Sequence, residues 1–172
     1  TFFTEALTQE ALKALDKAKQ YNQPFYLYMS HYAIHIPIDK DTRYFEKYKQ
    51  KGMSDKEAAY ASLIEGMDKS LGDIMDWLEK NGEADNTIIL FMGDNGGYAT
   101  GSHWRDEPLY TQNAPLNCGK GSAYEGGIRE PMIVSWPGVT QPSSRCDRYL
   151  LAEDYFPTIL EMAGITDWKV PQ

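Results

Sequence analysis

The passage from Ser54 to Met92 constrains the architecture most, because a long helical pattern there runs into an apolar strand pattern. Ser54 followed by Glu57 is a capping box, in which each residue's side chain satisfies the other's free backbone N–H. Tyr60, Leu63, Ile64, Met67, Leu71, Ile74, Met75 and Leu78 then fall mainly three and four residues apart, which predicts an amphipathic helix. Asn81-Gly82 supplies its left-handed stop, and Thr87-Ile88-Ile89-Leu90-Phe91-Met92 reads as a buried strand. Helix into strand across a short link is α/β organisation.

In open α/β folds, ligands gather at the carboxyl ends of strands. This strand ends in Gly93-Asp94-Asn95-Gly96-Gly97, where Asp94 and Asn95 present hard oxygen ligands suited to calcium or magnesium. The same residue types are the commonest turn formers, so the dipeptide alone reads either as a metal pair or as a turn. A hairpin would need a second alternating strand a few residues on, and a long loop follows instead. Calcium takes about six to eight oxygens, so two side chains are part of a shell. A sulfate or phosphate ester beside such an ion also calls for a cationic companion. Lys120, between Gly119 and Gly121, reads as that companion or as a solvated loop lysine. Glu125 and Arg129, four apart, read as an ion pair bracing the Gly126-Gly127 bend.

Upstream, Leu7, Ala11, Leu15 and Ala18 predict an amphipathic helix over 4–21, ended by Pro24. Phe25-Tyr26-Leu27-Tyr28-Met29 has the continuous apolar and aromatic character of a strand buried on both faces. It enters a loop carrying His31 and His35. His35, two residues before Pro37, suits a hydrogen bond to an ester oxygen or proton transfer, or a structural role. Between Tyr98 and Gly119 no period emerges, and long unpatterned loops are functional or mobile. His103 in that loop is a candidate pocket-lining residue. Pro131 to Trp136 reads as a further strand turned by Pro137-Gly138, and 153–163 as a helix with Pro157 near its first turn and Gly164 as its stop.

The 172 residues fit a single domain, 1–172, and 42% hydrophobic content excludes a disordered chain. A net charge of −8 argues against a nucleic-acid surface, which needs concentrated Lys and Arg. No apolar run approaches the roughly 20 residues of a membrane helix. The opening Thr1-Phe2-Phe3-Thr4-Glu5 carries no basic region or apolar core of a signal peptide. Cys118 and Cys146 permit one disulfide and leave its existence open.

Four segments in order, PFYLYMS into SHYAIHIP, the long helix into DNTIILFMGDNGG, the block CGKGSAYEGGIREPMIVSWPG, and the helix LAEDYFPTILEMAGI, closely resemble the type I sulfatases. These form the arylsulfatase-like branch of the alkaline phosphatase superfamily. The resemblance implies an α/β fold, part of an alkaline-phosphatase-like α/β/α sandwich with a mostly parallel central sheet. It implies that Asp94 and Asn95 are two calcium ligands, that His35 and Lys120 contact the sulfate group and the departing ester oxygen, and that Asp154 marks a helix start.

In the family the nucleophile is a formylglycine made within Cys/Ser-x-Pro-x-Arg. Neither Cys118 nor Cys146 stands in such a motif, and the upstream Asp pair that completes the family's calcium shell is absent too. The resemblance therefore implies a central catalytic-domain fragment without the N-terminal nucleophile region and the C-terminal subdomain, inactive alone and weak in calcium affinity. Its implied substrate is a sulfated small molecule or sulfated carbohydrate, with no nucleic acid or membrane partner, in an extracytoplasmic setting. Exposed sheet edges would invite self-association. The rival readings are a phosphatase or phosphonate hydrolase of the same superfamily, or a non-catalytic binding module.

Overall fold

A computed structural model describes residues 2–99 and 113–169. Contacts gather into two units, Thr1–Pro137 and Gly138–Gln172.

In the first unit, helix α1 (Phe3–Gln20) and helix α3 (Asp55–Lys80) pack on each other, with the short α2 (Phe45–Lys49) also against α3. The capping box at Ser54 forms as its chemistry requires. Glu57 N–H donates to Ser54 Oγ at 3.3 Å, and the Ser54 N–H donates to Glu57 Oε2 at 3.0 Å. Gly82 takes φ +68 just past the helix end, the left-handed conformation its lack of Cβ permits. Ala11 and Leu15 from α1 and Leu63 and Leu78 from α3 are buried, while Phe45, Ala58 and Ala59 form a second cluster with Ile38, Tyr48 and Met53 against it.

The α1–α3 seam is polar as well. Thr8 Oγ1 donates to Thr4 O at 2.8 Å and accepts from the Ser70 hydroxyl at 2.6 Å, and Ser70 Oγ lies 3.4 Å from His31 Nε2. Burial holds the His31 imidazole below its ordinary pKa, and its Nδ1 is buried without a hydrogen-bond partner among the described residues. A proton therefore binds His31 more readily in the unfolded chain, near pH 6.5, than in the folded one. The stability this group contributes is complete above pH 6.5 and falls as pH drops through 6.5 toward the lower folded value. The melting temperature is expected to fall between pH 7.5 and 5.5, and His31→Gln should flatten that part of the profile. An identical slope in the variant would assign the pH dependence to other groups.

A 3₁₀ turn (Ala84–Asn86) links α3 to strand β1 (Ile89–Met92), which pairs antiparallel with β2 (Met132–Ser135) in the register Met92↔Met132. Between them in sequence lies one helical turn, α4 (Glu125–Ile128). β1 is half-buried and half-exposed, where its composition predicts full burial. The segment 25–29 also departs from expectation. It is not a strand, and Tyr26 and Tyr28 are 72% and 77% exposed. The residues are strand-forming, but no described segment lies beside them to complete a ladder, and an extended backbone becomes a strand only by pairing.

The second unit carries α5 (Ala152–Met162), with Asp154 Oδ2 accepting the Leu151 N–H at 2.8 Å as an N-terminal cap and Gly164 at φ +75 as its stop. Pro157 sits in the second turn. Cys118 and Cys146 are free thiols.

Candidate active-site corner

The corner is built from the end of β1. The ladder runs one step past Met92, with Gly93 N–H donating to Pro131 O at 3.4 Å, and this brings Glu130 alongside: a Cβ on Gly93 would stand 2.6 Å from Glu130 Oε2. Asp94 follows with an exposed carboxylate and Asn95 half-buried. Asn95 Nδ2 donates to Gly96 O at 3.2 Å, which keeps Oδ1 as an acceptor. The chain then turns inward. Gly96 N–H donates to Gly127 O at 3.0 Å, and Gly97 O accepts the Lys120 N–H at 3.0 Å. The structure thus brings the backbone of the Asp94-Asn95 turn and that of the Lys120 loop together.

Glycine makes the approach possible. A Cβ on Gly96 would lie 1.9 Å from Gly126 O, one on Gly126 2.2 Å from Cys118 O, and one on Gly127 2.3 Å from Ser122 O. Gly126 and Gly127 are buried within α4, and Arg129 Nη1 reaches Glu125 Oε2 at 3.4 Å, the bracing pair expected from their spacing. Sequence reasoning missed Asn113, whose side chain joins these loops. Its one local signal is a turn-forming residue type two places before Pro115.

The corner carries surplus negative charge. Burial, and then the charge of Asp94, push the Glu130 carboxyl above the usual range, and its Oε1 is buried with no hydrogen-bond partner among the described residues. An orphaned carboxylate oxygen beside a second carboxylate suits a cation, so Asp94 and Asn95 fit a hard metal ion as a partial oxygen set. Among the described residues no group of three or more His, Cys, Asp and Glu gathers for a metal.

His35 is exposed. Its Nδ1 lies 2.7 Å from Ile36 O, its N–H donates to Tyr32 O at 2.9 Å, and its ring sits 5.5 Å from that of Tyr32. These hydrogen bonds and ring contacts stay within its own loop. Since a carbonyl only accepts, Nδ1 carries a proton and Nε2 is left for other partners. His103 lies outside the described residues. A separate cavity of about 250 Å³ opens between α1, Tyr44 and α3. Its cations are already matched, Arg43 by Asp41 and Glu5 and Lys69 by Asp73, so it offers an anionic ester little.

A strand-end turn with paired hard-oxygen side chains, tied to a lysine loop and to the single helical turn α4, defines a polar ligand corner in a protein of mixed helix and sheet. Comparison with known proteins makes the class specific. The Sulfatase family model matches residues 2–165, and the chain belongs to the sulfatase family. It is 36% identical over 166 residues to the uncharacterized sulfatase YdeN of Escherichia coli, covering 96% of this chain and 28% of that protein. It is 31% identical over 163 residues to human N-acetylgalactosamine-6-sulfatase, covering 95% and 29%. Among solved structures, Ps i-CgsB in complex with k-i-k-neocarrahexaose superposes with a TM-score of 0.85 at 32% identity, over 96% of this chain and 35% of that one. The fold is the alkaline-phosphatase-like α/β fold of these sulfatases, to which the described residues contribute helices and one two-stranded antiparallel sheet. The chain spans about 28–29% of the length of these two curated relatives.

Proposed function

We propose that this chain is the central part of a sulfuric ester hydrolase's catalytic domain, acting on a sulfated carbohydrate or sulfated small molecule outside the cytoplasm. Family membership supports the reaction class. The observation that carries the site is the bond from Lys120 N–H to Gly97 O, which ties the lysine loop to the turn bearing Asp94 and Asn95. The carbohydrate preference draws on the likeness to human N-acetylgalactosamine-6-sulfatase and to Ps i-CgsB in complex with k-i-k-neocarrahexaose.

In this reading Asp94 and Asn95 would hold calcium together with oxygens from elsewhere in the enzyme, and the ion would supply positive charge to a bound sulfate group. The Lys120 ammonium holds a sulfate oxygen and offsets the charge that grows as the S–O bond breaks. His35 keeps Nδ1–H on Ile36 O and serves the departing alcohol oxygen through Nε2, as hydrogen-bond partner or in proton transfer. The nucleophile is a formylglycine that these 172 residues do not contain, so this chain by itself is expected to be inactive. His103 is a further substrate contact in this reading.

Unit charges about 4 Å apart interact by about 4 kcal/mol at an effective dielectric near 20, and loss of one preorganised partner raises a barrier by about 2.7–4 kcal/mol. Lys120→Ala in the enzyme carrying this segment is therefore expected to lower turnover of 4-nitrophenyl sulfate about a hundredfold or more. Unchanged turnover would remove Lys120 from the chemistry. Faster cleavage of 4-nitrophenyl phosphate than of the sulfate would overturn the reaction class.

A further inference from the structure

One side chain outside every motif named so far holds the corner together. Asn113 Nδ2 lies 2.9 Å from Gly126 O, 3.0 Å from Cys118 O and 3.2 Å from Gly97 O. The three carbonyls belong to three separate stretches: α4, the loop leading to Lys120, and the turn after Asp94-Asn95. A carboxamide NH₂ has two hydrogens, so at least one is shared. Three carbonyl oxygens can surround only a donor, which fixes the orientation of the amide. The other face of the group is equally confined, since a Cβ on Gly97 would stand 2.6 Å from Asn113 Oδ1.

Backbone bonds close the same ring. Lys120 N–H reaches Gly97 O at 3.0 Å and Gly126 N–H reaches Asn117 O at 2.8 Å. Gly97 O therefore accepts from both Lys120 and Asn113, and Gly126 is engaged through its N–H and its carbonyl. Without Asn113, the metal-side turn and the lysine loop would be joined directly by the Lys120–Gly97 bond, with Gly96–Gly127 a second tie through α4.

We infer that Asn113 is a positioning residue, whose donation to Gly97, Cys118 and Gly126 sets the spacing between the Asp94-Asn95 pair and Lys120. It touches neither metal nor substrate in this role. It makes the two halves of the corner move as one body, which matters because displacing a reacting partner by about 1 Å can lower a rate about a hundredfold. The inference rests on the sulfatase reading for its consequence in catalysis and on geometry alone for the coupling.

The test uses the ¹⁵N-labelled 172-residue chain, in wild-type form and as Asn113→Ala and Asn113→Asp. The aspartate keeps the shape but turns an oxygen toward three carbonyls, and the alanine removes the donor without adding charge. Both variants should exchange the Lys120 and Gly126 amides at least about tenfold faster, while α3 amides keep their protection and report an intact fold. Titration with calcium chloride supplies the second readout. In the wild type it should shift the Asp94, Asn95 and Lys120 amide resonances together; in Asn113→Ala the first two should still move and the Lys120 shift should shrink, since only the backbone ties remain. Unchanged exchange at Lys120 and Gly126 in a folded variant overturns the inference, as does a Lys120 resonance that follows calcium in Asn113→Ala to the full wild-type extent. Where the wild-type chain shows no response to calcium, as its incomplete oxygen shell allows, the exchange comparison alone decides Asn113.

Discussion

Gly96→Ala is expected to force the corner open and to lower the melting temperature by roughly 5–15 °C. The added Cβ would stand 1.9 Å from Gly126 O and 2.6 Å from Gly127 Cα. Both are backbone atoms, so no rotamer change can relieve the contact and the two segments must separate. That separation also breaks the 3.0 Å bond from Gly96 N–H to Gly127 O. Overpacking of this kind costs about 1–3 kcal/mol, and a buried hydrogen bond left unmade adds about 1 kcal/mol or more. Gly72→Ala is the matched control: it lies within α3 and a Cβ there meets nothing within 4 Å, so helix propensity alone should act, stabilising by about 0.5–1 kcal/mol. Calorimetry of the two variants checks the argument. If Gly96→Ala melts within about a degree of wild type, the close approach of the two loops is wrong.

The second large effect lies away from the corner. Asp41 is fully buried and receives Arg43 Nη2 at 2.6 Å, Arg43 Nε at 2.9 Å and the Arg43 N–H at 3.1 Å, while its own N–H donates to Ser62 Oγ at 3.0 Å. Gly66 in α3 leaves room for the carboxylate, since a Cβ there would stand 2.6 Å from Asp41 Oδ2. Asp41→Ala removes an acceptor from three N–H groups and leaves the guanidinium facing a vacant seat. Breaking a buried ion pair costs about 3–5 kcal/mol, and the 30% exposure of the Arg43 side chain, which lets water replace part of the interaction, brings the expected loss to about 2–4 kcal/mol. Denaturant unfolding followed by far-UV circular dichroism measures it. A loss below about 1 kcal/mol would mean that Arg43 finds an equivalent partner, with Glu5, 3.7 Å away, the nearest choice.

Elements written in local chemistry were legible before any coordinates. The start of α3 follows from Ser54 and Glu57, its stop from Asn81-Gly82, and the end of α5 from Gly164, because caps are settled by residues within one turn. The strand character of 89–92 and 132–135 was equally plain. Segment 25–29 departs from its local pattern for the opposite reason. Its residues favour a strand, but strand formation depends on a neighbour that local pattern does not encode.

The candidate corner divides along the same line. Asp94, Asn95 and Lys120 stood out by residue type and by glycine neighbours, while Asn113 did not, because an asparagine before Ala-Pro looks like any turn. What the residues alone determined was the kind of chemistry on offer, hard oxygens at a strand end and a lysine between glycines, and the helices and strands that carry it. Tertiary structure alone decided that Gly97 O meets the Lys120 N–H, that Asn113 joins three loops, and that β1 and β2 run antiparallel. The physical reason is that these are bonds between groups distant in sequence, and such bonds leave no periodic trace in the order of side chains.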